Sequence, residues 1–134
     1  MTNCRRRGLG LQKELMTVTL TKDFRFEAAH TLPKVPPDHQ CARMHGHSYK
    51  VEISVCGPVE SASGWLMDHG EISNLVKPII AELDHRYLND IPGLENPTFE
   101  RLAVWLWGRI KPALPGLCEV VVHETPTSRC SFRG

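Results

Sequence analysis

The chain has 134 residues, 41% of them hydrophobic and 23% charged, with 16 Lys+Arg against 15 Asp+Glu and a formal net charge of +1. That length suits a single domain able to bury a core without disulfides or a structural metal, and the composition excludes a disordered chain. A charge so near zero argues against a nucleic-acid partner, which needs a marked basic excess.

No apolar run reaches the roughly 18–20 residues needed to span a bilayer, so no membrane partner is expected. Residues 1–15, MTNCRRRGLGLQKEL, are basic but lack the apolar centre of a secretory signal. They read as a disordered extension ahead of one domain over 16–134. Setting that extension aside, with its four basic side chains and one acidic, leaves 12 basic against 14 acidic residues and a net charge of −2. Cysteines stand at 4, 41, 56, 118 and 130, an odd number without a C-x-x-C pair, which fits neither a disulfide framework nor a zinc ribbon. Reduced thiols in a cytoplasmic protein are therefore expected, with Cys56 and Cys118 as small buried hydrophobes.

Residues 17–30 alternate, with Val18, Leu20, Phe24, Phe26, Ala28 and His30 on one parity and Thr19, Thr21, Asp23, Arg25 and Glu27 on the other. This is a half-buried strand ending at His30. A loop containing Pro33, Pro36 and Pro37 follows. Alternation resumes with His45, His47, Tyr49, Val51, Ile53 and Val55 against Ser48, Lys50, Glu52 and Ser54, giving a second strand, antiparallel to the first if the two pair.

Asp68 and Glu71 have capping-box spacing, and Ile72, Leu75, Val76, Ile79, Ile80 and Leu83 form the apolar stripe of a first helix. Pro78 predicts a kink or a shortened helix. Asn96-Pro97 reads as an N-cap and first helical position of a second helix, carrying Phe99, Leu102, Ala103, Leu106 and Ile110 and stopped by Pro112. Strands over Glu119–Thr125 and around Cys130–Phe132 end a β-β-α-α-β-β order. The fold class is α+β, two helices covering one face of a four-stranded antiparallel sheet.

His45-Gly46-His47 is the sharpest feature. Residues two apart on a strand share a side, roughly 7 Å apart, so two imidazoles can converge on one ion. His30, on the apolar parity at the end of its own strand, can supply a third nitrogen if the strands are neighbours. Three imidazoles with an open position is a catalytic-zinc arrangement; the alternative is that the rings cap the apolar face through hydrogen bonds. His39 is expected in solvent, and His69 and His123 in structural roles.

Cys41, four residues before His45, is a candidate base or nucleophile, unless it is a plain loop thiol or a fourth zinc ligand. Asp84-His85 can act as a carboxylate-tuned proton shuttle only if a loop geometry turns these neighbours together; otherwise it is a solvated helix end. Glu124 shares the parity of Val120 and Val122, where a carboxylate needs a partner. Two parallel N–H donors on a ligand would serve, as would an internal arginine or backbone amide.

Phe-Glu-Ala-Ala-His (26–30), Cys-Ala-Arg-Met-His-Gly-His (41–47), Leu-Asp-His-Arg-Tyr-Leu-Asn-Asp (83–90), Glu-Asn-Pro-Thr (95–98) and His-Glu-Thr (123–125) together resemble the 6-pyruvoyltetrahydropterin synthase family. The three-residue interval between Cys41 and His45 is most similar to its carboxy-forming bacterial branch, 6-carboxytetrahydropterin synthase of the queuosine pathway. The resemblance implies a tunnelling fold whose trimers close into a barrel and stack as a homohexamer with active sites at subunit boundaries. It implies Zn2+ on His30, His45 and His47, Cys41 as general base, His85 as relay and Asp84 orienting it. Glu124 would anchor the pterin or join the relay, and Thr98 would line the pterin pocket. The intersubunit setting would let the adjacent Asp84 and His85 address different chains.

The implied reaction converts 7,8-dihydroneopterin triphosphate to 6-carboxy-5,6,7,8-tetrahydropterin with release of acetaldehyde and triphosphate. A pyruvoyl-forming or side-chain-cleaving relative on the same fold, or a non-catalytic pterin- or metal-binding oligomer, are the alternatives. Arg43, Arg86, Arg129 and Arg133 are all candidates for the triphosphate. His69 departs from the family pattern, which has an aromatic there.

Overall fold

A computed structural model describes residues 16–134, so the expected disordered extension over 1–15 lies outside the described residues. Chain order is β1 (Thr17–His30), β2 (His45–Pro58), α1 (His69–Ala81), β3 (Arg86–Tyr87), α2 (Phe99–Ile110), β4 (Leu117–Thr125) and β5 (Ser128–Phe132), with short 3-10 turns at Gln40–Ala42 and Leu88–Asp90. The strands form one sheet in the order β3-β1-β2-β4-β5. Its pairings are antiparallel except that β3 runs parallel to β1.

The alternating sequence sets the faces. Phe24, Phe26 and Ala28 of β1, Tyr49, Val51, Ile53 and Val55 of β2, and Val120 and Val122 of β4 all turn inward. Ile72, Val76 and Ile80 of α1 and Leu102, Ala103, Leu106 and Ile110 of α2 cover them. Full burial of each large apolar side chain stabilises the fold by about 1.5–3 kcal/mol. The opposite sheet face is polar and cross-linked: Thr21 to Ser54 at 2.7 Å, Ser48 Oγ–H donating to Glu27 at 2.6 Å, Lys50 to Asp23 at 3.7 Å, and Arg133 to Glu119 at 2.9 Å. His123 lies on this face against Glu52, a structural position as expected.

Three features differ from the sequence reading: a fifth strand, the start of α2 and the state of two cysteines. The sheet has a fifth strand: two residues cannot show alternation, and β3 forms because the His85 N–H donates to the Glu27 carbonyl at 2.6 Å, docking the chain against β1. Helix α1, capped by the Asp68 carboxylate on the Gly70 N–H at 2.8 Å, runs through Pro78 to Ala81. Pro78 is exposed while Val76 and Ile80 on either side are buried, so packing carries the last turn past the missing N–H.

Helix α2 starts later than Asn96-Pro97 implies. Thr98 is its N-cap, Oγ1 accepting the Arg101 N–H at 3.2 Å, and Pro97 stays outside because its carbonyl faces His30. Cys56 and Cys118 are not buried thiols. A register shift after Ser54/Glu119 turns Cys118 outward beside exposed Cys56, and the two form a disulfide with a Cα–Cα separation of 5.9 Å. Alternation alone cannot reveal such a bulge.

Thiol titration of the unfolded, unreduced protein is expected to find two fewer reactive groups than titration after reduction. Equal counts would remove the Cys56–Cys118 bond.

Candidate functional site: a three-histidine cluster

The β1/β2 register pairs His30 with His45 and Ala28 with His47. All three imidazoles therefore meet at one end of the sheet on the inward face, with ring centroids 4.5–5.0 Å apart and near-perpendicular planes. One ring nitrogen from each lies within 4.8 Å of the other two. Ligand bonds of about 2.0–2.1 Å to one ion are reachable by small side-chain adjustment.

Two backbone carbonyls decide the tautomers. The Nδ1–H of His30 donates to the Pro97 carbonyl at 2.8 Å, with Tyr49 Oη at 3.3 Å, and the Nδ1–H of His45 donates to the Arg43 carbonyl at 2.7 Å. A carbonyl can only accept, so in the neutral rings both Nε2 atoms carry lone pairs, and these face each other at 2.9 Å. His47 Nε2 is buried without a hydrogen-bond partner. Facing lone pairs plus an orphaned buried nitrogen fit a cation held among them, and carbonyl-locked Nδ1 protons are the usual outer support of such a ligand set.

Burial also favours the neutral form of two of the rings. It pushes His30 and His47 below the ordinary histidine range, the Pro97 hydrogen bond only partly opposing this for His30 and the neighbouring His45 reinforcing it for His47. Glu124 closes the cluster, Oε2 lying 3.7 Å from His30 Nε2 and 3.8 Å from His47 Nε2. Its own burial, with Glu100 nearby, raises its pKa, against the pull of His30 and His45. Burial likewise raises the Tyr49 phenol.

Asp84 and His85 do face each other within one chain, Oδ1 to Nδ1 at 3.0 Å. The loop geometry required is a left-handed backbone at His85, φ 58°, which sequence could not reveal for a non-glycine residue. The Glu27 N–H donates to the same Asp84 oxygen at 2.9 Å, so Glu27 holds the pair through its backbone. That bond, then the one to His85, keeps Asp84 below its usual 3.8. A pocket of about 520 Å3 is lined by Glu27, Met44, His47, His85, Arg86 and Tyr87, among others, and so runs from His47 to His85.

Cys41 lies in the 3-10 turn, outside both the three-histidine group and this pocket, with its carbonyl accepting the Leu32 N–H at 2.9 Å. Thr98 Oγ1 is engaged as a helix cap. His39 is exposed, as expected. The supports that sequence reasoning missed are the Pro97 and Arg43 carbonyls and Asn89, whose side chain binds both the N–H and the carbonyl of Thr31 just past His30. Tyr49 alone had a signal, being two residues beyond His47 on the same parity.

An α+β sheet that ends in a three-imidazole cluster able to hold a metal ion defines a class of metal-site domain. Residues 19–134 match the family described as 6-pyruvoyl tetrahydropterin synthase, and the chain belongs to that family. It is 39% identical to a Synechocystis protein named 6-carboxy-5,6,7,8-tetrahydropterin synthase, covering 83% of this chain and 89% of that one. It is 33% identical to a Bacillus subtilis protein of the same name (85% and 84% covered) and 37% identical to a Pyrococcus furiosus dihydroneopterin monophosphate aldolase (68% and 73%). The fold matches that of Caenorhabditis elegans 6-pyruvoyl tetrahydropterin synthase with a TM-score of 0.83, at 24% identity over 90% of this chain and 97% of that one.

His47→Ala is expected to lower divalent-metal affinity at least about 10-fold, read by zinc titration, the lower end of what disturbing even an outer support costs. Chelator should leave a cooperative melt at a lower midpoint, since the apolar core does not depend on the ion; loss of the transition would make the site structural. The Asp84 contribution has a defined sign. A depressed carboxylate stabilises the fold above pH 3.8, its usual value, and that is lost as pH falls through the lower folded value. Asp84→Asn should therefore flatten the acid limb of a stability–pH profile below about pH 4.

Proposed function

We propose that this chain is a zinc-dependent enzyme converting 7,8-dihydroneopterin triphosphate and water to 6-carboxy-5,6,7,8-tetrahydropterin, acetaldehyde and triphosphate, an early step of queuosine synthesis. The observation that carries the reading is the cluster of three imidazoles, each offering a ring nitrogen within 4.8 Å of the other two, beside Glu124. Similarity to relatives named for this activity supports the choice of product.

In this reading His30, His45 and His47 hold the zinc. The ion supplies a Lewis acid with an open position for the oxygens of the substrate side chain. The carbonyls of Pro97 and Arg43 keep the imidazoles oriented, so no ring has to turn when substrate enters. Glu124 accepts the pterin's 2-amino and N3 hydrogens, a bidentate pairing that relieves an otherwise costly half-buried carboxyl group.

Cys41 takes a proton from the substrate side chain, and His85 relays protons at Nε2 while Asp84 holds Nδ1. Because Cys41 lies away from the pocket that His85 lines, base and relay meet best across a subunit boundary. That favours the homohexamer, two stacked trimers with active sites shared between chains. Thr98 acts on the pterin pocket through the helix start that it caps. A cytoplasmic setting completes the reading and would expose the Cys56–Cys118 bond to reducing thiols.

Incubation with 7,8-dihydroneopterin triphosphate is expected to yield acetaldehyde and a carboxylated tetrahydropterin in equal amounts. A pyruvoyl product, or cleavage to a hydroxymethylpterin, would replace the reading with the corresponding relative's chemistry. Cys41→Ala is expected to lose at least about 10²-fold in turnover while keeping its zinc. Unchanged turnover would favour a different base.

A further inference from the structure

We infer that Arg86 grips the phosphate chain of the substrate, and so sets preference for a phosphorylated pterin over its unphosphorylated form. The inference rests on the pterin-triphosphate reading above and assigns a residue that the sequence left open among four arginines.

The pocket that joins His47 to His85 contains Glu27, His47, His85, Arg86 and Tyr87 as its titratable and charged groups, the Tyr87 hydroxyl donating to Thr31 Oγ1 at 2.9 Å. The Glu27 carboxylate is engaged by the Ser48 hydroxyl at 2.6 Å, and the Glu27 backbone by Asp84 and His85. Arg86 is exposed and makes no salt bridge among the described residues.

Other arginines lack this combination. Arg109 is held bidentately by Glu82, both contacts at 2.6 Å, and Arg133 is paired with Glu119 at 2.9 Å. Arg129 sits on β5 opposite His123, at the far edge of the sheet from β3. Arg43 contributes its carbonyl to His45, and its side chain does not line the pocket.

Position matters as much as charge. Arg86 immediately follows the left-handed His85 and is anchored by β3 pairing with Ala28 of β1, so its backbone is fixed relative to the histidine pair. A guanidinium offers paired N–H donors that match two oxygens of a phosphate, a geometry that an ammonium does not reproduce. With the phosphates on Arg86, the substrate side chain between them and the ring is drawn toward the pocket wall shared by His47 and His85. A phosphate contact made outside the reacting bonds acts first on binding.

The test compares wild-type protein, Arg86→Gln, Arg86→Lys and the charge-matched control Arg129→Gln, all as the full oligomeric chain with matching melting curves. Arg86→Gln is expected to raise KM for 7,8-dihydroneopterin triphosphate about 10–100-fold with a smaller change in kcat, in line with loss of a charge-assisted pair. It should weaken inorganic triphosphate in a direct titration by a similar factor and leave binding of unphosphorylated 7,8-dihydroneopterin unchanged. Arg86→Lys should recover part of the loss and Arg129→Gln should match wild type; metal chelation by the anion affects every variant alike.

Equal triphosphate affinity in wild type and Arg86→Gln, or no measurable affinity in wild type, overturns the inference. Arg86-dependent triphosphate binding in a protein that releases no acetaldehyde supports it, while sinking the proposed reaction.

Discussion

The antiparallel register between β1 and β2 is the constraint from which the site follows. Pairing His30 with His45 puts the last residue of one long strand beside the first of the next, and strand periodicity then brings His47 to the same side. A slip of one residue would send all of one strand's inward side chains to the polar face; for β2 that takes Val51 and Ile53 out of the core together with His45 and His47. The apolar face that stabilises the fold and the cluster that gives it chemistry are thus held by one set of backbone hydrogen bonds. The Pro97 carbonyl adds a clamp from outside the sheet, tying the entrance of α2 to His30.

The second half of the site hangs on β1 from its other edge. Glu27 offers its N–H to Asp84 and its carbonyl to the His85 N–H, so the segment after α1 is tethered to β1 three residues before His30. Strain in the left-handed His85 backbone is offset by these two bonds and by β3. A single strand thereby carries a metal-ligand candidate on its inward face and positions a proton-shuttle candidate at its edge.

Most of the fold was legible from residues. β1 was visible to its last residue, because alternation stops at the proline loop; α1 was visible from the Asp68 cap and its stripe. The features that escaped share a cause: each depends on a partner distant in sequence. Nothing local to Arg86-Tyr87 announces a strand, since Glu27 creates it. Asn96-Pro97 has the better local helix-start signal, but the pull of His30 on the Pro97 carbonyl moves the cap to Thr98. Cys56 and Cys118, 62 residues apart, meet only because a register shift rotates one of them outward.

The sequence by itself determined which side chains share a face: periodicity, a property of each strand or helix alone, put three histidines on the buried side and a carboxylate with them. Tertiary structure alone decided their chemical state. Which imidazole nitrogen is free depends on carbonyls of Pro97 and Arg43, whether Asp84 meets His85 depends on Glu27, and which arginine faces the pocket depends on where β3 docks. Those are contacts between chain segments, set by packing and backbone hydrogen bonds that no local pattern encodes.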